Sequence, residues 1–306
     1  MSCPAAARAS ARTRATISAP RRRPALVSSP RAGPAALAAG LALLLAGAPG
    51  QAQVTDLVST SQFRVCADPA NLPMSDDSGA GYENRLAELF ADRLGLPVSY
   101  TWFPMATGFV RNTLRANRCD VIIGYAQGHE LVQNTNHYMT SVYTLVVPAD
   151  GPLAEVETLG DPRLQGRRIG VVAGSPPATH MARNGLIGKA KAYNLNVDRR
   201  VESPALDMLD DVDRGETDAA LLWGPLAGPL VKQAHPGLKV VPLLKETDPP
   251  RLFFRITMGV RPGEKNFEHE LNSLIRRNRS EINAILAGAG VPLVNDMGTA
   301  MLEAAP

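Results

Sequence analysis

The sequence predicts an α/β protein of two lobes, each a mixed, mostly parallel sheet flanked by helices. Short apolar runs of strand character alternate with segments whose apolar residues recur at helical spacing. The alternation restarts near Gly166 as a second, similar series. The 254 residues that follow an N-terminal leader (306 − 52) suffice for one large or two ordinary domains.

In chain order, Phe63–Ala67 reads as a buried strand ending at Asp68-Pro69. Residues 82–94 read as a helix, with Leu86, Leu89, Phe90 and Leu94 at helical spacing and Gly95 and Pro97 ending it. A strand over 98–103, a short helix over 109–116 and strands over 120–124 and 142–147 follow. The second series opens with a strand over 168–172 and a tight loop, Ala173-Gly174-Ser175-Pro176-Pro177, onto a helix. Ser203 and Pro204 fit an N-cap and first helical position, Leu206, Leu209 and Val212 a buried stripe, and Gly215 the end. Strands are expected over 218–223 and 238–243, and 251–260 returns toward the first lobe. One final helix is expected from about Lys265 to Ala287, burying Phe267, Leu271, Leu274, Ile275, Ile282, Ile285 and Leu286. Chain crossings near 148–152 and 245–252 make lobe 1 residues 53–148 plus 252–306, and lobe 2 residues 149–251.

Residues 1–52 carry seven arginines and no acidic residue, and the apolar run Ala35–Ala48 lies within them. A run of about 14 residues falls short of the roughly 20 that span a bilayer. Basic region, short apolar region and small residues together read as a signal peptide cleaved near Ala52, with a membrane anchor as the alternative. The expected location is the periplasm. Without the leader the charge falls from 32 basic against 29 acidic residues to 25 − 29 = −4, so no basic excess remains to track phosphates. Nucleic-acid binding is thereby excluded, and no second long apolar segment argues for stable membrane insertion. Cys66 and Cys119 remain after the leader, and an exported pair is expected to form a disulfide, with two buried thiols as the alternative.

Several stretches resemble type II periplasmic solute-binding proteins: Arg64-Val65 through Asp68-Pro69, and Asp161-Pro162 through Gly166-Arg167-Arg168-Ile169-Gly170-Val171. Narrower ones resemble one branch, the MoxJ/XoxJ family. These include Val65-Cys66-Ala67-Asp68-Pro69-Ala70-Asn71-Leu72-Pro73, Gly108 to Arg115, and Trp223-Gly224-Pro225-Leu226-Ala227-Gly228. Glu281 to Leu286 with Gly290-Val291-Pro292-Leu293 adds to them, and the Trp-Gly-Pro-Leu-Ala-Gly stretch is the most specific. The resemblance implies a two-lobed type II periplasmic binding protein fold. It also implies association with a PQQ-dependent alcohol dehydrogenase of methanol type, as a binding partner that assists its maturation or activation.

Amino-acid-binding members of the wider superfamily usually clamp the ligand carboxylate with an arginine after the third strand and its ammonium with a second-lobe aspartate. The corresponding stretch here, Gly124 to Glu130, has no arginine, and Trp223 stands about where the aspartate would be. Both ionic anchors are missing, which argues against an amino-acid ligand. The candidate cleft residues are Asp68, Asn71, Tyr125, His129, Ser175 and Trp223, the rings for stacking and the polar groups for hydrogen bonds.

Enzyme readings find little support. Gly170 to Gly174 resembles half of a dinucleotide fingerprint, but Pro176-Pro177 follows where the helix-opening glycine belongs. The five histidines show no metal-site spacing. No catalytic residue, metal or cofactor is therefore expected on this chain. An ABC-transporter receptor for a small non-amino-acid ligand is the alternative to the accessory role. A dehydratase would need an unpaired buried carboxylate near Tyr125 or Trp223. Asp207, Asp210 and Asp211 are expected on a solvated helix face and do not qualify.

Overall fold

Side-chain alternation along the first strands decides what each residue of the first lobe faces. β1 (Phe63–Ala67) sends Phe63, Val65 and Ala67 into one apolar cluster and Cys66 into another on the opposite face. The computed structural model describes residues 57–128 and 130–302. The expected leader with its Ala52 cleavage site, and His129, lie outside the described residues.

After β1 come a small hairpin, β2 (Ala70–Asn71) and β3 (Ser75–Asp76), and helix α1 (Tyr82–Leu94). Next are β4 (Val98–Trp102), α2 (Phe109–Asn112), β5 (Val121–Ala126), β6 (Gln133–Asn134) and the long β7 (Met139–Pro148). The second series is β8 (Ile169–Val172), α3 (Pro176–Arg183), β9 (Lys191–Tyr193), α4 (Pro204–Asp213) and β10 (Ala219–Trp223). The chain closes with α5 (Gly224–Ala234), β11 (Leu238–Pro242), β12 (Phe253–Val260), α6 (Lys265–Arg277) and α7 (Arg279–Ala289).

The main sheet runs β4-β1-β5-β12-β7-β10-β8-β9. β1 is parallel to β4 and β5, and β8 is parallel to β10 and β9. The antiparallel pairings belong to the strands that join the halves and the segments added to them. β12 runs antiparallel to β5 and β7, and β7 to β10 and β11. β7 changes partner midway: Met139–Val142 pairs with β12, and from Tyr143 on the strand pairs with β10. Separate apolar clusters fill the two lobes: one around α1, α6 and α7 and one around the Cys66 face of β1 in the first, two around β8, β10 and α4 in the second. This is the two-lobed α/β architecture expected from the sequence.

The disulfide forms. Cys66 on β1 and Cys119, just before the adjacent β5, bond with their Cα atoms 5.4 Å apart. Beside it Asp120 is 1% exposed and accepts from both Arg64 and Arg261, at 2.6 and 2.7 Å. Burial pushes its carboxyl up, but the two guanidinium groups outweigh that and hold it below the usual carboxylate range.

Three expectations need correction. The single C-terminal helix is broken at Asn278, whose buried side-chain amide donates to Leu274 O at 2.8 Å while its oxygen accepts from Arg93. A side chain that competes for helix carbonyls favours an end at that point. In α4 the buried stripe is Met208, Leu209 and Val212, and Leu206 is exposed. Asp211 is not on a solvated face: it is 3% exposed and paired with Lys191, Arg214 and the Tyr193 hydroxyl.

The Trp-Gly-Pro-Leu-Ala-Gly stretch forms the start of α5, and its glycines have a steric cause. A Cβ on Gly224 would lie 2.5 Å from Val142 O of β7, and one on Gly228 2.0 Å from Gly290 O. Gly290 ends α7 at φ 97°, in the left-handed region. Helix, strand and turn meet backbone to backbone.

Replacing both Cys66 and Cys119 by serine should cost about 4 kcal/mol, the chain-entropy value for a link across 53 residues, measurable as a lower urea midpoint. Gly228→Ala should destabilise by about 1–3 kcal/mol through overpacking. Gly288→Ala, with open space around it in α7, should be neutral or stabilising in the same melts.

Candidate functional site

The cleft is built where β7 and β10 emerge between the lobes. Trp223 ends β10 and is half-buried, its ring centroid 5.3 Å from Tyr143 of β7 and 5.7 Å from Phe254 of β12. Tyr143 and Phe254 are 6.3 Å apart, edge to face, so the three rings form one cluster. Two adjoining spaces open beside it, of about 820 and 1040 Å³, with Asn71, Tyr143, Arg199, Trp223 and Leu226 common to both. Leu72 and Leu195, both exposed, line the first.

Of the expected cleft residues, Asn71, Ser175 and Trp223 line this space. Asn71 is buried, and its amide oxygen accepts from Arg199 on the loop between β9 and α4. Ser175 precedes α3, and its hydroxyl donates to Val172 O at 2.7 Å. Tyr125 does not join them. Its neighbours Gly124 and Ala126 face the cleft, so strand alternation turns Tyr125 to the other side, against the cluster around Cys66 and Phe109. Asp68 lines an adjoining space instead, with Met105 and the loop residues Leu195 to Arg200. Its carboxylate accepts from Ala70 N at 2.9 Å and Met105 N at 2.7 Å, which ties the β1–β2 turn to a neighbouring loop.

The sequence reading missed a buried carboxylate in the cleft, Glu83. It lies in the first turn of α1, where an acidic residue ordinarily complements the helix dipole from the surface. Here α1 starts against the β2–β3 hairpin, with the Tyr82 and Glu83 N–H groups donating to Pro73 O and Met74 O. The Glu83 side chain turns inward over β5, leaving it 8% exposed. Gly124 makes that possible: a Cβ there would lie 2.0 Å from the Glu83 carboxylate. Burial pushes the carboxyl up to about 7, against the opposing pull of the Arg199 guanidinium. The hydroxyls of Tyr82 and Tyr138, fully buried, have no hydrogen-bond partner among the described residues. Burial raises both phenols well above their ordinary value, and the Glu83 charge adds to the shift. Glu83 thus has the place and burial set as the condition for a dehydratase, although Arg199 opposes it.

Because the Glu83 pKa is raised in the folded protein, its protonated form is the favoured one. Its contribution is fully present below the ordinary value of 4.5 and is lost as pH rises through about 7. Glu83→Gln should therefore gain stability relative to the unsubstituted protein between pH 4.5 and 8. The gain should be on the order of 3 kcal/mol, at about 1.4 kcal/mol per pKa unit. Denaturation midpoints at both pH values check this, and an equal difference at both would contradict it.

No family model matches the sequence. The crystal structure of the periplasmic binding protein XoxJ from Methylobacterium extorquens AM1 is similar at a TM-score of 0.66 and 39% identity, covering 76% of this chain and 100% of that one. That of MxaJ from Methlophaga aminisulfidivorans MPT has a TM-score of 0.65 at 26% identity, with 76% and 100% covered. Protein MoxJ of Methylorubrum extorquens is 29% identical over 286 residues, spanning 85% of this chain and 94% of its own. With the two lobes, the bridging strand and the glycine-bearing start of α5 in place, the chain belongs to the MoxJ/XoxJ family of periplasmic binding proteins.

Proposed function

We propose that this protein is a periplasmic accessory of a PQQ-dependent alcohol dehydrogenase of methanol type. It binds the dehydrogenase through the cleft and assists its maturation or activation. The partner comes from the MoxJ/XoxJ membership. The observation that supports the cleft as contact surface is the Tyr143–Trp223–Phe254 cluster, beside a space lined by exposed Leu72 and Leu195. Aromatic anchors with an apolar surround are the usual carriers of binding energy at protein interfaces. On this reading the protein acts by binding and catalyses no reaction, and Asn71, Ser175 and Trp223 belong to the contact.

Export by a leader cleaved near Ala52 belongs to the same reading. Among the described residues no helix is long and apolar enough to cross a membrane. So does a lobe division with crossings near 148–152 and 245–252. The change of partner at Tyr143 favours a first crossing earlier, within β7.

A pull-down of the tagged mature protein from periplasmic extract tests the role. The expected result is enrichment of a quinoprotein alcohol dehydrogenase, reduced at least tenfold by Trp223→Ala. Recovery of an ABC transporter's membrane subunits with no dehydrogenase would replace the accessory role with that of a transport receptor.

A further inference from the structure

The inner end of the cleft holds a buried carboxylate that a partner-docking role leaves unused, beside the rings that role would employ. Glu83 is a buried carboxylate bordering open space, where an ionised form needs a counter-charge. The rings of Tyr143, Trp223 and Phe254 border the same space. A carboxylate beside an aromatic cluster suits one ligand chemistry: a positive charge spread over a guanidinium or alkylammonium group, held by the charge and by the ring quadrupoles. An anion would meet Glu83 unfavourably, and a neutral ligand would leave its charge unanswered.

The chain already supplies such a group. Arg199 reaches into this space from the loop between β9 and α4 and donates to Asn71 Oδ1, and its charge opposes the upward shift of Glu83. It differs from an arginine that holds the fold. Arg261 is 6% exposed and donates to Cys119 O, Asp120 and Glu264. Arg199 is an exposed loop residue. Its bond to Asn71 sets the guanidinium against a neutral amide, not a carboxylate, so a competing cation displaces it at little cost.

We propose that the inner cleft is a binding site for an organic cation, a guanidinium or alkylammonium group, which Arg199 occupies until such a ligand replaces it. This inference does not rest on the accessory role and can be tested on the isolated protein. Titration calorimetry at pH 8 with L-argininamide and with tetramethylammonium chloride, against sodium chloride at equal ionic strength, reads the site directly. Arg199→Ala should bind at least one of the two probes tenfold or more tightly than the unsubstituted protein. Adding Glu83→Gln should remove that gain; if the double variant fails to fold, Glu83→Asp on the Arg199→Ala background should weaken binding instead. The change in tryptophan fluorescence on binding should vanish with Trp223→Phe. No binding of either probe by Arg199→Ala, or affinity insensitive to both Glu83 substitutions, would overturn the proposal. Equal affinity in the presence and absence of Arg199 would overturn the displacement.

Discussion

The backbone contact between the start of α5, β7 and the turn after α7 is the constraint on which the cleft depends. No side-chain atom fits at Gly224 or Gly228, because the positions a Cβ would take are filled by Val142 O and Gly290 O. That contact fixes the start of α5 against β7 and the turn after α7, and Trp223 is the residue immediately before it. The ring is therefore held at a junction where β10 has just paired with β7 (Trp223 opposite Tyr143) and where β12 brings up Phe254. A substitution that pushed α5 outward would move the aromatic wall along with the helix. The wall's geometry is thus set by glycines that never touch the cleft.

Two buried carboxylates show how differently this fold treats charge. Asp120 lies at the base of the first lobe, where Arg64 and Arg261 bond to it and Ser59 N–H donates at 3.1 Å. Each of its oxygens has a partner, and the pKa falls. Glu83 is also buried, yet the pull on it is a single loop arginine, and the pKa rises. The first arrangement uses its ions to hold β1, β5 and the chain after β12 together. The second leaves a charge deficit beside the aromatic cluster, at a place where Gly124 has been kept small to admit it. Such an uncompensated group is where structural need ends and binding begins.

The sequence is legible where local chemistry and tertiary packing agree. α1 ends at Gly95 as expected, because the left-handed cap (φ 67°) is a backbone requirement that glycine announces. β1 and the two-lobe order are readable from apolar periodicity. Legibility fails where tertiary contact overrides the local signal. α5 carries Pro225, Pro229 and two glycines, poor helix formers held helical by packing. Position along the chain places Tyr125 in the cleft, but strand parity decides the face, and parity depends on a register fixed by β12. Asp211 reads as a solvated helix residue, and Glu83 does not stand out at all, because nothing in one helix records what lies against it. The hint for Glu83 is indirect: a glycine, Gly124, inside an otherwise bulky strand.

The contact between Arg199 and Asn71 bears on how such a cleft opens. It joins the loop after β9 in one lobe to the β2–β3 hairpin in the other, so it ties the lobes by one exposed side chain. A single hydrogen bond to a neutral amide is a weak tie. A ligand or partner shifts an equilibrium only by its differential affinity for the two states. Against so weak a tie, a modest preference for the open cleft suffices. The aromatic cluster contributes more, since covering each ring removes apolar area from water at about 25 cal/mol per Å². An incoming segment that covers the rings and also carries a cation gains on both counts, whereas an apolar segment leaves Glu83 to Arg199. The cleft would then select by charge at its floor and bind by area at its mouth, a division of labour that neither the rings nor the carboxylate achieves alone.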